Sequence, residues 1–445
     1  MVKEKLHNLF SDKNFSEILI GSAWAFASQV IASVLGMVTS IIIARIYSAE
    51  ILGIVTVLQS FLMLTTIFTV FGTNTSILRL IPEYLAKYSI SSAFQLYRKI
   101  YYFVSGMSIA TGSLLFFAAD FVADKIFSKP HLRFYFAMGA VFIIFKSLMI
   151  LTTEAVRGLR LIRLFAFLQL LPNFSNIIIL ISITMLFFHQ GNPIYALLSS
   201  TAITAIAGSL IVNRVFQQKC DSADKLHPIP MKKILTLSFP MFMTATITFV
   251  IGQTGVIMLG IFRSEAEVGY YAIAMQLAGV TSFILSAINS IAAPKFSELY
   301  HSGNIEDLFY VAKKSAKLIF YITSPILLFL ILLGNYFIPL LYGPGFIAAY
   351  LAMVFLTIGQ FTDAACGSTG IFMNMTGHHK ALLYIKLTAA LINIVLCVLL
   401  IPYYGLYGAG FSAMISLSFW NITALLYIKL IYGKFIGYAP LIHRY

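Results

Sequence analysis

Runs of apolar residues about 20 long, separated by short gaps rich in glycine, proline and polar residues, recur from one end of the chain to the other. Twelve can be drawn, near 17–44, 51–78, 100–122, 134–156, 165–188, 193–213, 235–262, 268–293, 316–342, 346–375, 381–401 and 407–428. Each is long enough to carry an α-helix across the hydrocarbon core of a bilayer. None shows the polar–apolar alternation of a membrane barrel strand. The gaps HQGNP at 189–193, LYGPG at 341–345 and PYYG at 402–405 predict tight turns. The longest polar stretch, RVFQQKCDSADKLHPIPMKK at 214–233, predicts a linker between two halves of six helices. The expected divisions are an N-terminal lobe at 1–220, a cytoplasmic linker at 221–233 and a C-terminal lobe at 234–445.

Composition closes off the soluble alternatives. Of 445 residues, 60% are hydrophobic and 10% charged, with a mean hydropathy of +0.90. A soluble globule of this length has nowhere to hide so much apolar surface. The first run is too long for the core of a cleaved signal and reads as a retained span. Cys220, Cys366 and Cys397 lie far apart and form neither a disulfide framework nor a metal motif.

The net charge of +14 would point to nucleic acid in a soluble protein, but here the basic residues cluster at the ends of the runs. With the N-terminus inside, 24 Lys and Arg fall at cytoplasmic ends and 5 on the other side, with Lys146 in mid-span. That asymmetry fits the positive-inside rule with both termini cytoplasmic. It also assigns the basic loops to topology and anionic lipid heads, with no nucleic acid as partner.

The halves read as a duplication. IARIYSAEILGIVTV at 43–57 aligns with LGIFRSEAEVGYYAI at 259–273, placing Gly53 on Gly269 and Ser48 on Ser264 at an offset of 216. Arg98 on Lys314 and Phe134 on Tyr350 keep that offset, and Asn176 falls on Asn393 at 217. Six spans per half give both halves one orientation, so the repeat axis runs along the membrane normal. The fold class expected is all-α integral membrane, about twelve helices in two parallel-repeat six-helix lobes around a central cavity.

Charge inside hydrocarbon is costly and marks function by default. Lys146, in GAVFIIFKSLMIL, and Asp363, in LTIGQFTDAACGSTG, sit mid-span 217 residues apart. Lys146 is read as attracting an anionic group in the cavity, and Asp363 as taking up a proton or sodium ion. The competing reading of both is a buried structural pair, or a lysine reaching for the interface. Uncharged polar residues gather as Ser22, Gln29, Ser33, Gly36 and Ser40 in the first span, Gln59 and Asn74 in the second, Thr244, Thr248, Gly252, Gln253 and Gly255 in the seventh, and Gln276, Gly279, Asn289 and Ser290 in the eighth. Such stripes serve close helix packing or a wet cavity, and the glutamines favour a cavity. Arg45, Arg79 and Arg263, at span ends, are candidates for its mouth or for interfacial anchoring.

Absences narrow the class further. The sequence carries no GxxxxGK[ST] phosphate loop and no HExxH, and His378 and His379 are adjacent loop residues, so neither an ATPase nor a metal centre is indicated. External loops are too short for a catalytic domain, which argues against a membrane glycosyltransferase or ligase. No enzyme activity and no cofactor are expected.

Residues 18–88 then supply a resemblance. Arg45, Tyr47, Ser48, Glu50 and Gly53, followed by Gly72, Arg79, Pro82 and Glu83, resemble the R-x-[YF]-S-x-E-x-x-G turn and G…RxxPE segment of Wzx-type polysaccharide flippases. Phe262, Ser264, Glu267, Gly269, Lys295 and Glu298 repeat it in the second half. Those flippases belong to the multidrug/oligosaccharidyl-lipid/polysaccharide exporter superfamily. The resemblance implies a bacterial inner-membrane flippase that moves a polyprenyl-diphosphate-linked oligosaccharide outward by alternating access, with membrane lipids and polysaccharide assembly proteins as further partners. It implies a cationic cavity lined by the first, second, seventh and eighth helices. This chain has no mid-membrane arginine in its first or eighth span, so Lys146 and the helix-end arginines would have to supply the charge. The alternative is a multidrug or small-molecule exporter of the same superfamily.

Overall fold

In a computed structural model the described residues are 13–219 and 227–438, with side chains from Trp24 onward. Cys220, Ser22 as a side chain, the basic residues Lys3, Lys5, Lys225 and Arg444, and the linker up to 226 lie outside them. Every regular element described is helical. The longer ones are α1 (Lys13–Ile46), α2 (Ala49–Val70), α3 (Thr73–Lys87), α4 (Ile90–Phe117), α5 (Arg133–Gly158), α6 (Ile162–Leu186), α7 (Asn192–Lys219), α8 (Met231–Phe262), α9 (Glu265–Ala278), α10 (Ser282–His301), α11 (Ile305–Tyr342), α12 (Ala349–Cys366), α13 (Thr369–Met375) and α14 (His379–Tyr432). The reason is the solvent: hydrocarbon offers no partner to a backbone N–H or C=O, so each segment must satisfy its own. Hydroxyls follow the same logic. Thr66, Thr204 and Thr254, among others, bond the carbonyl four residues back.

Eleven helices among the described residues are long and apolar enough to cross a membrane. The last of them, α14, spans 54 residues with Gly405 at φ 55, ψ −132 in its middle. The Ser416 hydroxyl donates to the Ala389 carbonyl at 2.9 Å. In an unbroken helix those residues would stand roughly 40 Å apart. The helix is therefore a hairpin of two membrane-length arms, matching the expected runs at 381–401 and 407–428. A residue with a Cβ would be strained at the positive φ of Gly405 and would have to push the Glu267 carboxylate aside.

Three expected runs are broken within. The run at 51–78 stops at Val70, and Phe71 and Gly72, both at positive φ, start α3 in a new direction. Gly72 lies flush against the Ser238 carbonyl and the Phe242 amide of α8, with Phe71 stacked on Phe242 at 4.6 Å. The run at 346–375 stops at Cys366, where Gly367 takes φ 71. The run at 268–293 passes through a 3-10 turn at Gly279–Thr281.

Among the described residues two compact units emerge, one drawn from 13–39, 62–125 and 129–245, the other from 40–61, 126–128 and 246–438. They do not coincide with the expected halves 1–220 and 234–445: the start of α8 belongs to the first unit, and the α1–α2 turn belongs to the second. The first is centred on Ile77, Ile81, Tyr97, Ile100, Leu151 and Phe216, the second on Phe296, Phe309, Phe372, Met373 and Ile428. Large apolar side chains such as Leu114, Phe117, Leu332 and Leu430 stay exposed, as a lipid-facing surface requires.

Within the second unit the duplication becomes geometry. A Cβ on Gly53 of α2 would collide with the Glu265 carbonyl, and a Cβ on Gly269 of α9 would collide with the Ala49 carbonyl. Gly53 and Gly269 differ by 216, and so do Ala49 and Glu265. The contact is thus reciprocal at the repeat offset, which is what a two-fold axis passing between the two glycines produces. A second pair of amides keeps nearly the same offset. Asn173 on α6 donates to the Ala32 carbonyl of α1 at 2.9 Å, and Asn393 on α14 donates to the Ile251 carbonyl of α8 at 3.0 Å. By role, then, Asn393 corresponds to Asn173, and the sequence pairing with Asn176 is one turn out.

Candidate functional site

Lys146 stands near the middle of α5, a helix of 26 residues. The helix is pinned there by Ser147, whose hydroxyl meets that of Thr69 at 2.6 Å, both fully buried. The exposed apolar residues of α5, Phe134 and Val141, lie one heptad apart on a single stripe. Lys146 sits roughly 140° round the helix from Val141 at 100° per residue, off that stripe. Its side chain is half-buried, and among the described residues no hydrogen bond, ion pair or cation–π contact reaches it. A cation at this depth without a counter-charge is a standing energetic cost unless something else supplies the anion.

Asp363 has the opposite surroundings. It is buried in the last turn of α12, three residues from the helix end, so it lies deeper toward that end than the expected mid-span position. The Asn421 amide and the Lys386 ammonium are the polar groups that act on its carboxylate. Asn421 in turn accepts from the Thr369 hydroxyl at 3.3 Å and donates to the Leu417 carbonyl at 3.1 Å. The Lys386 ammonium lies 5.0 Å from the Trp420 ring centroid. Asp363 is therefore the anionic member of a polar knot joining α12, α13 and both arms of α14. Lys386, one of the 24 basic residues counted at cytoplasmic ends, falls inside the run at 381–401. That position was the available signal.

The remaining candidates divide between the units. Gln29, Ser33, Asn74 and Arg79 belong with Lys146 in the first, and Gln59, Gln253, Gln276, Asn289, Arg45 and Arg263 with Asp363 in the second. Gln29, Gln59 and Arg79 are exposed, Ser33 bonds its own helix at the Gln29 carbonyl, and Asn74 sits in the first turn of α3 rather than deep in a span. Gln253 accepts from Ser60 at 2.7 Å, and Gln276 accepts from Tyr342 at 3.3 Å. The side-chain oxygen of Asn289 is buried without a partner among the described residues.

Arg45 and Arg263, candidates for a cavity mouth or for interfacial anchoring, have their guanidinium groups on helix-end carbonyls. Arg45 donates to Leu341 O at 2.9 Å and to Leu340 O. Arg263 donates to Ile401 O at 3.2 Å and Tyr403 O at 3.0 Å. The last carbonyls of a helix lack intrahelical donors and carry the negative end of its dipole, so an arginine is a fitting partner. Sequence reading also missed the buried hydroxyls Thr65, Thr66, Thr69, Thr73 and Ser76, which run down α2 into α3 at helical spacing.

A profile of proteins described as polysaccharide biosynthesis protein matches residues 42–351. The chain belongs to that family. An uncharacterised membrane protein of Methanocaldococcus jannaschii is 20% identical over 443 residues, covering 94% of this chain and 86% of its own. Among solved structures, an inward-facing multidrug resistance MATE family transporter of the MOP superfamily superposes with a TM-score of 0.72 at 15% identity, over 90% of this chain and 94% of that one. The lipid II flippase MurJ, in an inward closed conformation, gives 0.72 at 15% identity, over 92% and 87%. A MOP superfamily transporter from Pyrococcus furiosus gives 0.63 at 14% identity, over 93% and 95%. These likenesses establish the fold: the chain is an all-α, multi-pass membrane protein with the architecture of MOP superfamily transporters.

Proposed function

We propose that this member of the polysaccharide biosynthesis family is a flippase for a polyprenyl-diphosphate-linked oligosaccharide, carried by alternating access from the cytoplasmic to the outer leaflet of a bacterial inner membrane. The observation that carries the proposal is Lys146, a mid-membrane cation with no protein counter-charge among the described residues. A diphosphate is the complement it lacks. The sugar moiety presents many hydroxyls, and leaving one unsatisfied in an apolar medium costs about 2–7 kcal/mol. Exposed Gln29, in the same compact unit as Lys146, offers a partner to such groups. The loop charges favour both termini on the cytoplasmic side.

Asp363 enters this reading as the site of ion coupling, with Lys386 as its internal counter-charge. Neutralising the carboxylate would leave Lys386 unbalanced against α12 and give the polar knot two arrangements. If Asp363→Asn supports full glycan export at every external pH, that coupling role is wrong.

The deciding experiment is removal of the protein, followed by analysis of the lipid-linked glycan. Accumulation on the inner leaflet, restored by wild type but not by Lys146→Ala, supports the flippase. The MATE transporter superposes as well as the lipid II flippase does, so a multidrug exporter is the second reading. Drug hypersensitivity of the deletion strain with normal surface glycan would select it.

A further inference from the structure

We infer that Arg45 is the latch of a gate at the membrane face opposite the start of α1, a gate formed where α2 and α9 cross at Gly53 and Gly269. The inference rests on the alternating-access reading, which requires that face to open in the other state.

Three contacts close this face inside the second unit, and each joins the two sequence halves. The first is the reciprocal glycine crossing, with backbone against backbone and no side chain between. The second is Phe127, from the turn before α5, whose ring packs at Gly260 of α8 beside Val57 of α2. The third is Arg45, at the end of α1, which donates to the carbonyls of Leu340 and Leu341 at the end of α11.

The repeat provides an internal control. Arg263 ends α8 as Arg45 ends α1, and it too grips helix-end carbonyls. Ile401 and Tyr403, whose carbonyls it grips, belong to its own half. Glu267 strengthens that local clasp by accepting the Leu406 amide at 3.0 Å. Parting the halves at this face must therefore break the Arg45 bonds and leaves those of Arg263 intact. The chemistry suits a reversible closure. A glycine crossing has no side chains to disentangle, and an arginine on carbonyls releases groups that water can satisfy directly. A charge-assisted hydrogen bond weighs about twice a neutral one, so this latch biases the closed state while leaving it able to open.

The test uses full-length protein in intact cells, with Cys220, Cys366 and Cys397 replaced by serine or alanine and Val57→Cys as reporter. Val57 is 2% exposed beneath the crossing. Labelling by a membrane-impermeant maleimide reads opening without any substrate. Arg45→Gln is expected to raise labelling about tenfold, the effect of losing one charged hydrogen bond on a two-state equilibrium. Arg263→Gln at equal protein level is expected to leave it unchanged. Gly53→Ala, whose methyl cannot fit under the Glu265 carbonyl, is expected to raise it independently of the latch. Unchanged labelling in Arg45→Gln, or an equal rise in Arg263→Gln, overturns the inference. Should Arg45→Gln open the face while deletion leaves lipid-linked glycan untouched, the gate stands and the flippase reading falls. Should Lys146→Ala block export while Arg45→Gln changes no labelling, the reverse holds.

Discussion

Lys146 and Lys386 show how much a side chain's neighbours decide. Both are lysines inside apolar runs. Lys386 shares its surroundings with Asp363, Asn421 and Trp420, whereas Lys146 has none of these around it. Lys146→Arg is therefore expected to retain measurable glycan export and Lys146→Gln to lose it at normal protein level, a contrast that a packing role would not produce. The bridging amides make a quieter prediction. Asn393→Ala removes the donor to the Ile251 carbonyl and is expected to cost about 0.6–1.7 kcal/mol, the range of interhelical hydrogen bonds in membranes, read as a lower thermal midpoint in detergent. Outside the spans, the Lys87 ammonium, hydrogen-bonded at 2.8 Å, holds the Glu83 carboxyl below the usual carboxylate range. A lowered acid stabilises above its ordinary value and ceases to as pH falls through the lowered one. Glu83→Gln is thus expected to lower the thermal midpoint at neutral pH and to leave it unchanged in strong acid. At this scale the sequence shows that Lys146 is a charge in oil. That it lacks a partner depends on helices far along the chain, and the same distance hid the carbonyl partners of Arg45 and Arg263.

The helices were the most legible level, because hydrocarbon imposes a minimum apolar length that any spanning segment must meet. Where the runs break was not legible. The run at 51–78 stays apolar through Phe71 and Gly72, and what turns it is Gly72 meeting the α8 backbone, a contact 166 residues away (238 − 72). The break at Gly367 likewise depends on its fit against Ala316 of α11. PYYG at 402–405 was readable as a turn because a glycine at positive φ is the common local solution. Gly405→Ala is expected to destabilise the second unit. It forces φ 55 on a residue with a Cβ and drives that atom into Glu267. Strained backbone of this kind costs about 1–3 kcal/mol before the collision is counted. The expected result is loss of folded protein in membranes, partly recovered by adding Glu267→Ala, which removes the obstructing carboxylate.

Across the whole molecule, the internal repeat was readable only as a steady offset near 216, and the crossing at Gly53 and Gly269 gives that offset a physical meaning. The compact units were not readable, because residues 40–61 group with the later part of the chain and 231–245 with the earlier part. A bare Lys146 has one more consequence, an electrical one. In a carrier that alternates, the voltage drop falls across whichever end is shut, so an embedded positive charge feels the potential of the compartment to which it is open. With the interior negative, the unloaded carrier is drawn to its inward-open form by up to about 2.3 kcal/mol per 100 mV. The proposed diphosphate-bearing cargo would reverse the sign of the total and favour the outward-open form. Under the proposed function one lysine would let the resting voltage drive both strokes of the cycle, and depolarising the cell is expected to slow glycan export even where no ion gradient is consumed.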